Sequence, residues 1–181
     1  MIIKHTRDTL SETYLDAVAI RNTVFVKGQG VPHSIEIDAN EAYCIHFVLY
    51  DDKDKAAATV RLPNIDLSQV TLQRMAVLEA YQGQGLGSIL LKEAEDFAQE
   101  QGFQTISLHA QLGALKFYLN NGYQEVGKIF EEAGIQHITV EKSLLRISAK
   151  VYEPVDTSVF TKSRNSERAS ETVIVPFFRH P

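Results

Sequence analysis

The chain has 181 residues, 44% hydrophobic and 23% charged, which is enough for one globular domain with a full core. A net charge of -5 argues against a broad nucleic-acid face and suits, weakly, a cationic small molecule or peptide. The single cysteine, Cys44, cannot close an internal disulfide. With no signal-like run in Met1–Leu10 and no stretch of membrane-spanning length, a reducing, cytoplasmic setting away from membranes is expected.

In chain order, Ile2-Ile3 predicts a short strand. Ser11 is placed to cap a helix from about Glu12 to Arg21, with Leu15, Val18 and Ala19 at helical spacing. Val24-Phe25-Val26 is apolar and β-rich until Gly28, Gly30 and Pro32 interrupt it, and Ser34–Ala42 reads as a polar loop. Tyr43–Tyr50 and Lys55–Leu62 predict a hairpin around Asp51-Asp52-Lys53-Asp54. Val70–Val77 predicts a further strand. Leu86–Gln101 predicts an amphipathic helix with Leu86, Ile89, Leu90, Ala94, Phe97 and Ala98 on one face. Lys92, Glu93, Glu95, Asp96, Gln99 and Glu100 lie largely on the other, most simply a solvated one. Gly102 is placed to end that helix in the left-handed conformation. Thr105–Ala110 alternates as a strand, Leu112–Asn120 is a short helix closed by Asn121-Gly122, and two strands follow near Tyr123–Val126 and Ile135–Lys142. The order predicts an α+β domain around one mixed sheet.

The chemistry concentrates between Val70 and Ala110, where a strand enters a glycine-rich turn, a helix starts inside the turn and another strand follows. The first N–H groups of a helix have no internal partner, and here they fall near Gly83–Ser88. Glycine lets an anion approach the backbone closely, and the helix dipole adds roughly 0.3–1 kcal/mol per favourable charge. The turn therefore suits a diphosphate. It is no P-loop, because Gly87-Ser88 follows Leu86 with no lysine, and its glycine spacing and mid-chain position do not fit a dinucleotide fold. A bland tight turn accounts for two glycines more easily than for three in the five residues from Gly83 to Gly87.

Gln82-x-x-Gly85-x-Gly87 after Arg74-Met75-Ala76-Val77 resembles the acyl-CoA loop of the GNAT superfamily of N-acetyltransferases. Ala110-Gln111, Ala114, Phe117-Tyr118 and Gly122-Tyr123 resemble the second half of that fold. Ile20-Arg21, Val24-Phe25-Val26, Val31-Pro32, Glu36, Asp38, His46, Phe130, Gly134-Ile135 and His137 are similar to its ElaA/YjcF-like branch. The likeness spans about residues 1–144, taken as the catalytic domain, with 145–181 as an extension. It implies a GNAT-like α+β fold: a mixed, mostly antiparallel central sheet flanked by helices, with a splayed parallel strand pair forming the acyl-CoA cleft. Pantetheine would then use backbone groups of Met75, Ala76 and Val77. Gln82, Gly83, Gln84, Gly85, Leu86, Gly87 and Ser88 would hold the pyrophosphate, with Gln111 and Phe117 completing the cofactor site. Many relatives carry Arg and Lys where this chain has Gln82 and Gln84, which shifts anion binding onto backbone donors.

Acyl transfer to an amine needs the amine neutral. With a pKa of about 10.4, on the order of one molecule in a thousand is free at neutral pH, a penalty of about 4 kcal/mol. A base, or a site that lowers the amine's pKa, is required, and the departing thiolate gains from a proton donor. The resemblance implies Tyr118 as that donor; a core tyrosine is the alternative, since Ala114, Phe117 and Tyr118 share a helix face. Tyr123 is read as packing. Of the loop carboxylates Glu36, Asp38 and Glu41, Glu36 is the candidate base, with His46 ranked beside it and above Glu41, and Arg21, His46 and His137 are candidates for the acceptor site. Arg21 either binds an acceptor carboxylate or pairs with Glu36 or Asp38, and His137 either lines the acceptor pocket or satisfies a buried strand. Glu41 is read as a solvated loop carboxylate, and Cys44 as a buried thiol. His5, His33, His109 and His180 show no metal-ligand spacing, so no metal is expected.

Val151–Phe160 and Thr172–Phe178 are apolar and β-prone around a polar Thr161–Glu171. They predict an arm that packs on its own domain or across a homodimer. The leading expectation is an enzyme moving acetyl from acetyl-CoA to a primary amine of a small molecule or peptide. A non-catalytic acyl-CoA-binding module of the same fold, and a protein-interaction domain using the tail, are the alternatives.

Overall fold

The computed structural model describes residues 1–63 and 69–145, and Met1–Arg146 forms one compact unit. Strand β1 (Ile2–Thr6) leads to helix α1 (Glu12–Arg21), whose cap is Ser11: its Oγ accepts the Tyr14 N–H at 3.2 Å. Tyr14, Ala17, Ile20 and Arg21 form the buried face of α1. The β-rich Val24-Phe25-Val26 is not a strand. The chain continues past Arg21 as a π-helical stretch, Asn22–Gly28, and Val24 and Phe25 pack on a cluster of Ala17, Ile20, Val48, Tyr50 and Ala76. Packing overrides β-propensity here, as it commonly does for short apolar runs. The expected polar loop after it is also folded: one turn of helix α2 (His33–Glu36) and a 3₁₀ turn at Glu41–Tyr43.

Strands β2 (Cys44–Tyr50) and β3 (Ala56–Pro63) form the expected hairpin, and both are buried almost throughout. The expected single strand Val70–Val77 is two. Strand β4 (Gln69–Thr71) pairs parallel with β6 (Thr105–Gln111), whereas β5 (Gln73–Val77) pairs antiparallel with β3. The result is two four-stranded sheets, in the orders β1-β2-β3-β5 and β4-β6-β8-β7, where β7 is Gln124–Glu132 and β8 is Ile135–Ser143. All described pairings except β4–β6 are antiparallel.

The divergence has a local cause. Leu72 N–H still reaches Ser107 O at 2.8 Å, but Arg74 adopts φ +55°, and the register with β3 slips between Arg61↔Gln73 and Thr59↔Ala76. One extra residue in the β5 strand makes a bulge, which turns the chain away from β6. A left-handed arginine is strained by roughly 1–3 kcal/mol and persists only if held. Arg74 is held: Nη2 donates to Ile35 O at 2.9 Å, and Nε lies 3.0 Å from Glu36 Oε2. The splay thus depends on the α2 turn that grips its bulge.

Helix α3 (Leu86–Glu100) starts in the gap and buries Leu90, Leu91, Ala94 and Ala98 against β2 and β3 residues in the main core. Gly102, at φ +92°, ends it as expected. Ile89, assigned to the apolar face, is 43% exposed, and Glu95, assigned to the wet face, is buried because Lys142 of β8 reaches it at 2.6 Å. Helix α4 (Leu115–Asn120) follows a 3₁₀ turn at Leu112–Ala114 and places Tyr118 in the core. Tyr123 is packed, as expected. The expectations for Val151–Phe160 and Thr172–Phe178 fall outside the described residues.

Candidate active site

Where β5 leaves β6, a cavity of about 850 Å³ opens. Met75, Ala76 and Val77 form one wall, Leu108 and Gln111 of β6 the facing one, and Phe117 and Tyr118 of α4 close the side. The loop before α3 lies at the same cavity through Gln82, Gly83, Gly85, Leu86, Gly87 and Ser88. Of the proposed loop residues, Gln84 does not line it; its Nε2 donates to Ala80 O at 3.0 Å, while Gln82 Nε2 donates to Val77 O at 3.1 Å. The two glutamines brace the loop.

The loop's backbone is built for close approach. Gly83 and Gly85 have φ +73° and +77°, with open space where a Cβ would stand. No side chain caps α3 at Gly85, so the amides of Leu86 and Gly87 remain available, whereas the Ser88 N–H already bonds Gly85 O at 3.1 Å. Gly87 has a different reason to be glycine: an added Cβ would stand 3.4 Å from the Phe117 ring and 3.6 Å from Met75 Cε. A strand edge freed by the splay, unpaired helix amides and a deep cleft fit a phosphorylated, extended ligand such as coenzyme A.

Tyr118 is 8% exposed, and its hydroxyl donates to Met75 Sδ at 3.7 Å. A thioether is a weak acceptor, so the phenol is parked beside the β5 wall and not locked in a strong bond. Burial pushes its pKa well above the ordinary tyrosine value, and the hydroxyl stays protonated at neutral pH.

Behind the cavity lies a buried ionic network that the sequence reading only partly anticipated. Arg21 Nε meets Glu36 Oε1 at 2.5 Å, and its Nη1 and Nη2 meet the two Glu41 oxygens at 3.0 and 2.7 Å. Arg61 Nη1 meets Glu41 Oε1 at 2.7 Å, and Nη2 meets Asp38 Oδ2 at 2.6 Å. Glu41 is therefore not a solvated loop carboxylate but the centre of the network, 7% exposed. Burial alone would raise its pKa; hydrogen bonds and charge from Arg21, with Arg61 and His46, bring it below the ordinary value. Burial lowers the His46 pKa despite the Glu41 carbonyl at 2.9 Å from Nε2. Burial raises that of the Cys44 thiol, which suits an inert core cysteine.

Two expected acceptor residues move with this network. Arg21 is fully buried and spends its donors on Glu36 and Glu41, and neither it nor His46 lines the cavity. Both position the wall. Glu36 and His137 do line the cavity, but Glu36 has one oxygen on Arg21 and the other on Arg74. Sequence reading missed Arg74, and it passed over His109 and Glu132, which also face the cavity and pair at 2.9 Å. Only the alternation of β6, which puts His109 on the same side as Gln111, hinted at that placement. Among the described residues no group of His, Cys, Asp and Glu is placed to hold a metal, and no helix is long and apolar enough to cross a membrane.

The acetyltransferase (GNAT) domain family model matches residues 13–144. The chain belongs to the GNAT family. It is 36% identical over 133 residues to the uncharacterised N-acetyltransferase YjcF of Bacillus subtilis, covering 72% of this chain and 93% of that protein. A solved acyl-CoA N-acyltransferase from Pseudomonas aeruginosa superposes with a TM-score of 0.69 at 25% identity, covering 78% of this chain and 98% of that one. Escherichia coli ElaA superposes equally well, TM-score 0.69 at 24% identity over 78% of this chain and 99% of its own. The GNAT domain thus falls in the ElaA/YjcF-like branch, and acyl transfer from an acyl-CoA is its family chemistry.

Proposed function

We propose that the chain transfers an acetyl group from acetyl-CoA to a primary amine of a small molecule or peptide by direct attack in a ternary complex. The observation that carries this reading is one cavity shared by the splayed β5 edge, the Gly83–Ser88 backbone and the Tyr118 hydroxyl. In it, the Gly83–Gly87 amides and the Ser88 side chain hold the diphosphate, supported by the α3 dipole. Met75, Ala76 and Val77 orient the pantetheine and the thioester, with Gln111 and Phe117 on the far wall. Tyr118, protonated at neutral pH and free to leave a weak sulfur contact, delivers its proton to the sulfur as the C–S bond breaks. Glu36 and Arg74, locked to each other, hold the acceptor side of the cleft rigid.

Calorimetry tests the binding step. Gly85→Glu places a side chain at a left-handed position and a carboxylate where the phosphates lie, so acetyl-CoA binding should vanish in a variant with unchanged circular dichroism. Unchanged affinity in folded Gly85→Glu would sink the assignment. Release of free CoA thiol with a panel of amines separates an enzyme from a binding module of the same fold, which binds acetyl-CoA and releases none.

A further inference from the structure

The proposed mechanism leaves the acceptor proton without a destination. Seven titratable side chains line the cavity: Glu36, Arg74, Tyr81, His109, Tyr118, Glu132 and His137. Six are committed. Glu36 and Arg74 pair at 3.0 Å, His109 and Glu132 at 2.9 Å, Tyr81 donates to Asp51 at 2.8 Å, and Tyr118 faces Met75. Both Glu36 oxygens are occupied, one by Arg21 and the other by Arg74, so neither is free to meet an ammonium.

His137 differs. Its Nδ1 stands 2.8 Å from Ile135 O. A carbonyl only accepts, so Nδ1 carries the hydrogen, and in the neutral ring Nε2 keeps its lone pair. Phe130 stacks on the ring at 6.0 Å and 24°, fixing its plane. Nε2 has no protein partner among the described residues, yet it is not sealed in the core. Strand register sets His137 opposite Gln111, whose amide bonds Gln29 across the cleft at 3.0 Å. His137 therefore stands beside the point where Gln29, at the end of the Asn22–Gly28 stretch, meets β6.

We infer that His137 is the general base that takes the proton of the acceptor ammonium, and that the acceptor is a monoamine carried on an apolar body. The inference rests on the acetyl-transfer reading of this cavity. Of the wall carboxylates, Glu36 is already paired with Arg74 and Arg21, and Glu132 is half exposed to water and bonded to His109. That leaves no buried, unpaired carboxylate on the wall for a second ammonium. Val24, Phe25, Val31, Ile35 and Ile135 supply the rest of that surface, and apolar surroundings lower the amine's pKa by disfavouring its charged form. The protons balance as follows. The ammonium gives one proton to His137 Nε2, and the imidazolium passes it to water. The free amine forms the C–N bond to the acetyl carbon as the C–S bond breaks. Its second proton leaves by the emptied His137, while Tyr118 protonates the thiolate and is itself reprotonated. Ammonium and acetyl-CoA thus yield amide, CoA thiol and one proton in solution.

The test uses 2-phenylethylamine and spermidine as probes, thiol release as readout, and wild type beside His137→Gln, which keeps polarity without titrating. Wild type should turn over 2-phenylethylamine in preference to spermidine. His137→Gln should lose about 10²–10⁴-fold in kcat/KM near neutral pH. The gap should narrow as pH rises and the amine deprotonates unaided, and calorimetric affinity for acetyl-CoA should not change. Nitrogen-15 NMR of the wild-type ring should show the Nδ1–H tautomer. A variant with the wild-type rate and pH profile, a loss carried by His109→Gln instead, an Nε2–H tautomer, or a preference for spermidine would each overturn the inference. So would wild type that binds acetyl-CoA and turns over neither amine. Wild type that fails to bind acetyl-CoA at all would instead overturn the transfer reading beneath it.

Discussion

Tyr118 and Glu41 are both buried, and their expected variants behave oppositely. The Tyr118 hydroxyl has one weak partner, Met75 Sδ. Tyr118→Phe should leave stability within about 1 kcal/mol of wild type, since a weakly bonded hydroxyl contributes little. It should lower kcat by about 10²–10⁴-fold with acetyl-CoA affinity unchanged. Steady-state kinetics at saturating acetyl-CoA decides, where chemistry limits turnover; an unchanged kcat assigns Tyr118 to the core alone. Glu41 holds Arg21 and Arg61 together. Glu41→Ala leaves Arg21, Arg61 and Arg74 with only Glu36 and Asp38, one negative charge short in a buried network, and should destabilise by about 3–5 kcal/mol in urea unfolding. The network also sets a pH dependence. Glu41 and His46 are both lowered on folding, so the unfolded chain binds more protons and stability decreases as pH decreases. The loss should begin as pH drops below the ordinary imidazole value near 6.5. It should deepen as pH falls through the carboxylate range and below. Urea midpoints at successive pH values from 7 down to 4 check the sign.

Among the elements, glycine placement separates backbone demand from mere room. Gly102 and Gly113 both have open space at the Cβ position, but only Gly102 has positive φ, +92°. Gly102→Ala should therefore destabilise by about 1–2 kcal/mol. Gly113→Ala, at the exposed turn before α4, should stabilise by about 0.4–1 kcal/mol by restricting the unfolded chain. Denaturant midpoints with unchanged m-values check both. Helix α1 was legible to its ends because Ser11 states its cap and Arg21 its last turn in local chemistry. The π-helical Asn22–Gly28 was not: Val24 and Phe25 are helical because of what they touch, not what they prefer. Strand β4–β5 was read as one element because its break rests on Arg74, whose left-handed backbone is held by Ile35 and Glu36 from another part of the chain.

Across the whole molecule, the two sheets differ in exposure. Strands β2 and β3 are buried nearly throughout, whereas β7 is an outer strand whose side chains are mostly exposed. Hydrogen exchange should be slowest in the amides of β2 and β3 and faster by orders of magnitude along the side of β7 that no described strand covers; uniform protection across the eight described strands would contradict that ordering. Periodicity, caps and glycine spacing, read from the sequence alone, were sufficient for the α+β class and for the strand-loop-helix that faces the cleft; the family came from a resemblance of motifs. Each of those signals lies within a few consecutive residues, where backbone sterics and hydrogen bonding act. What required the tertiary structure was the fate of the charges. Glu36, Glu41, Arg21, Arg61 and Arg74 come from separate segments, and in sequence Glu41 looks like a solvated loop carboxylate while the partner of Arg21 is left open. Whether a carboxylate is a base, a tether or a surface charge depends on which cation reaches it through space, and only the folded arrangement sets those distances.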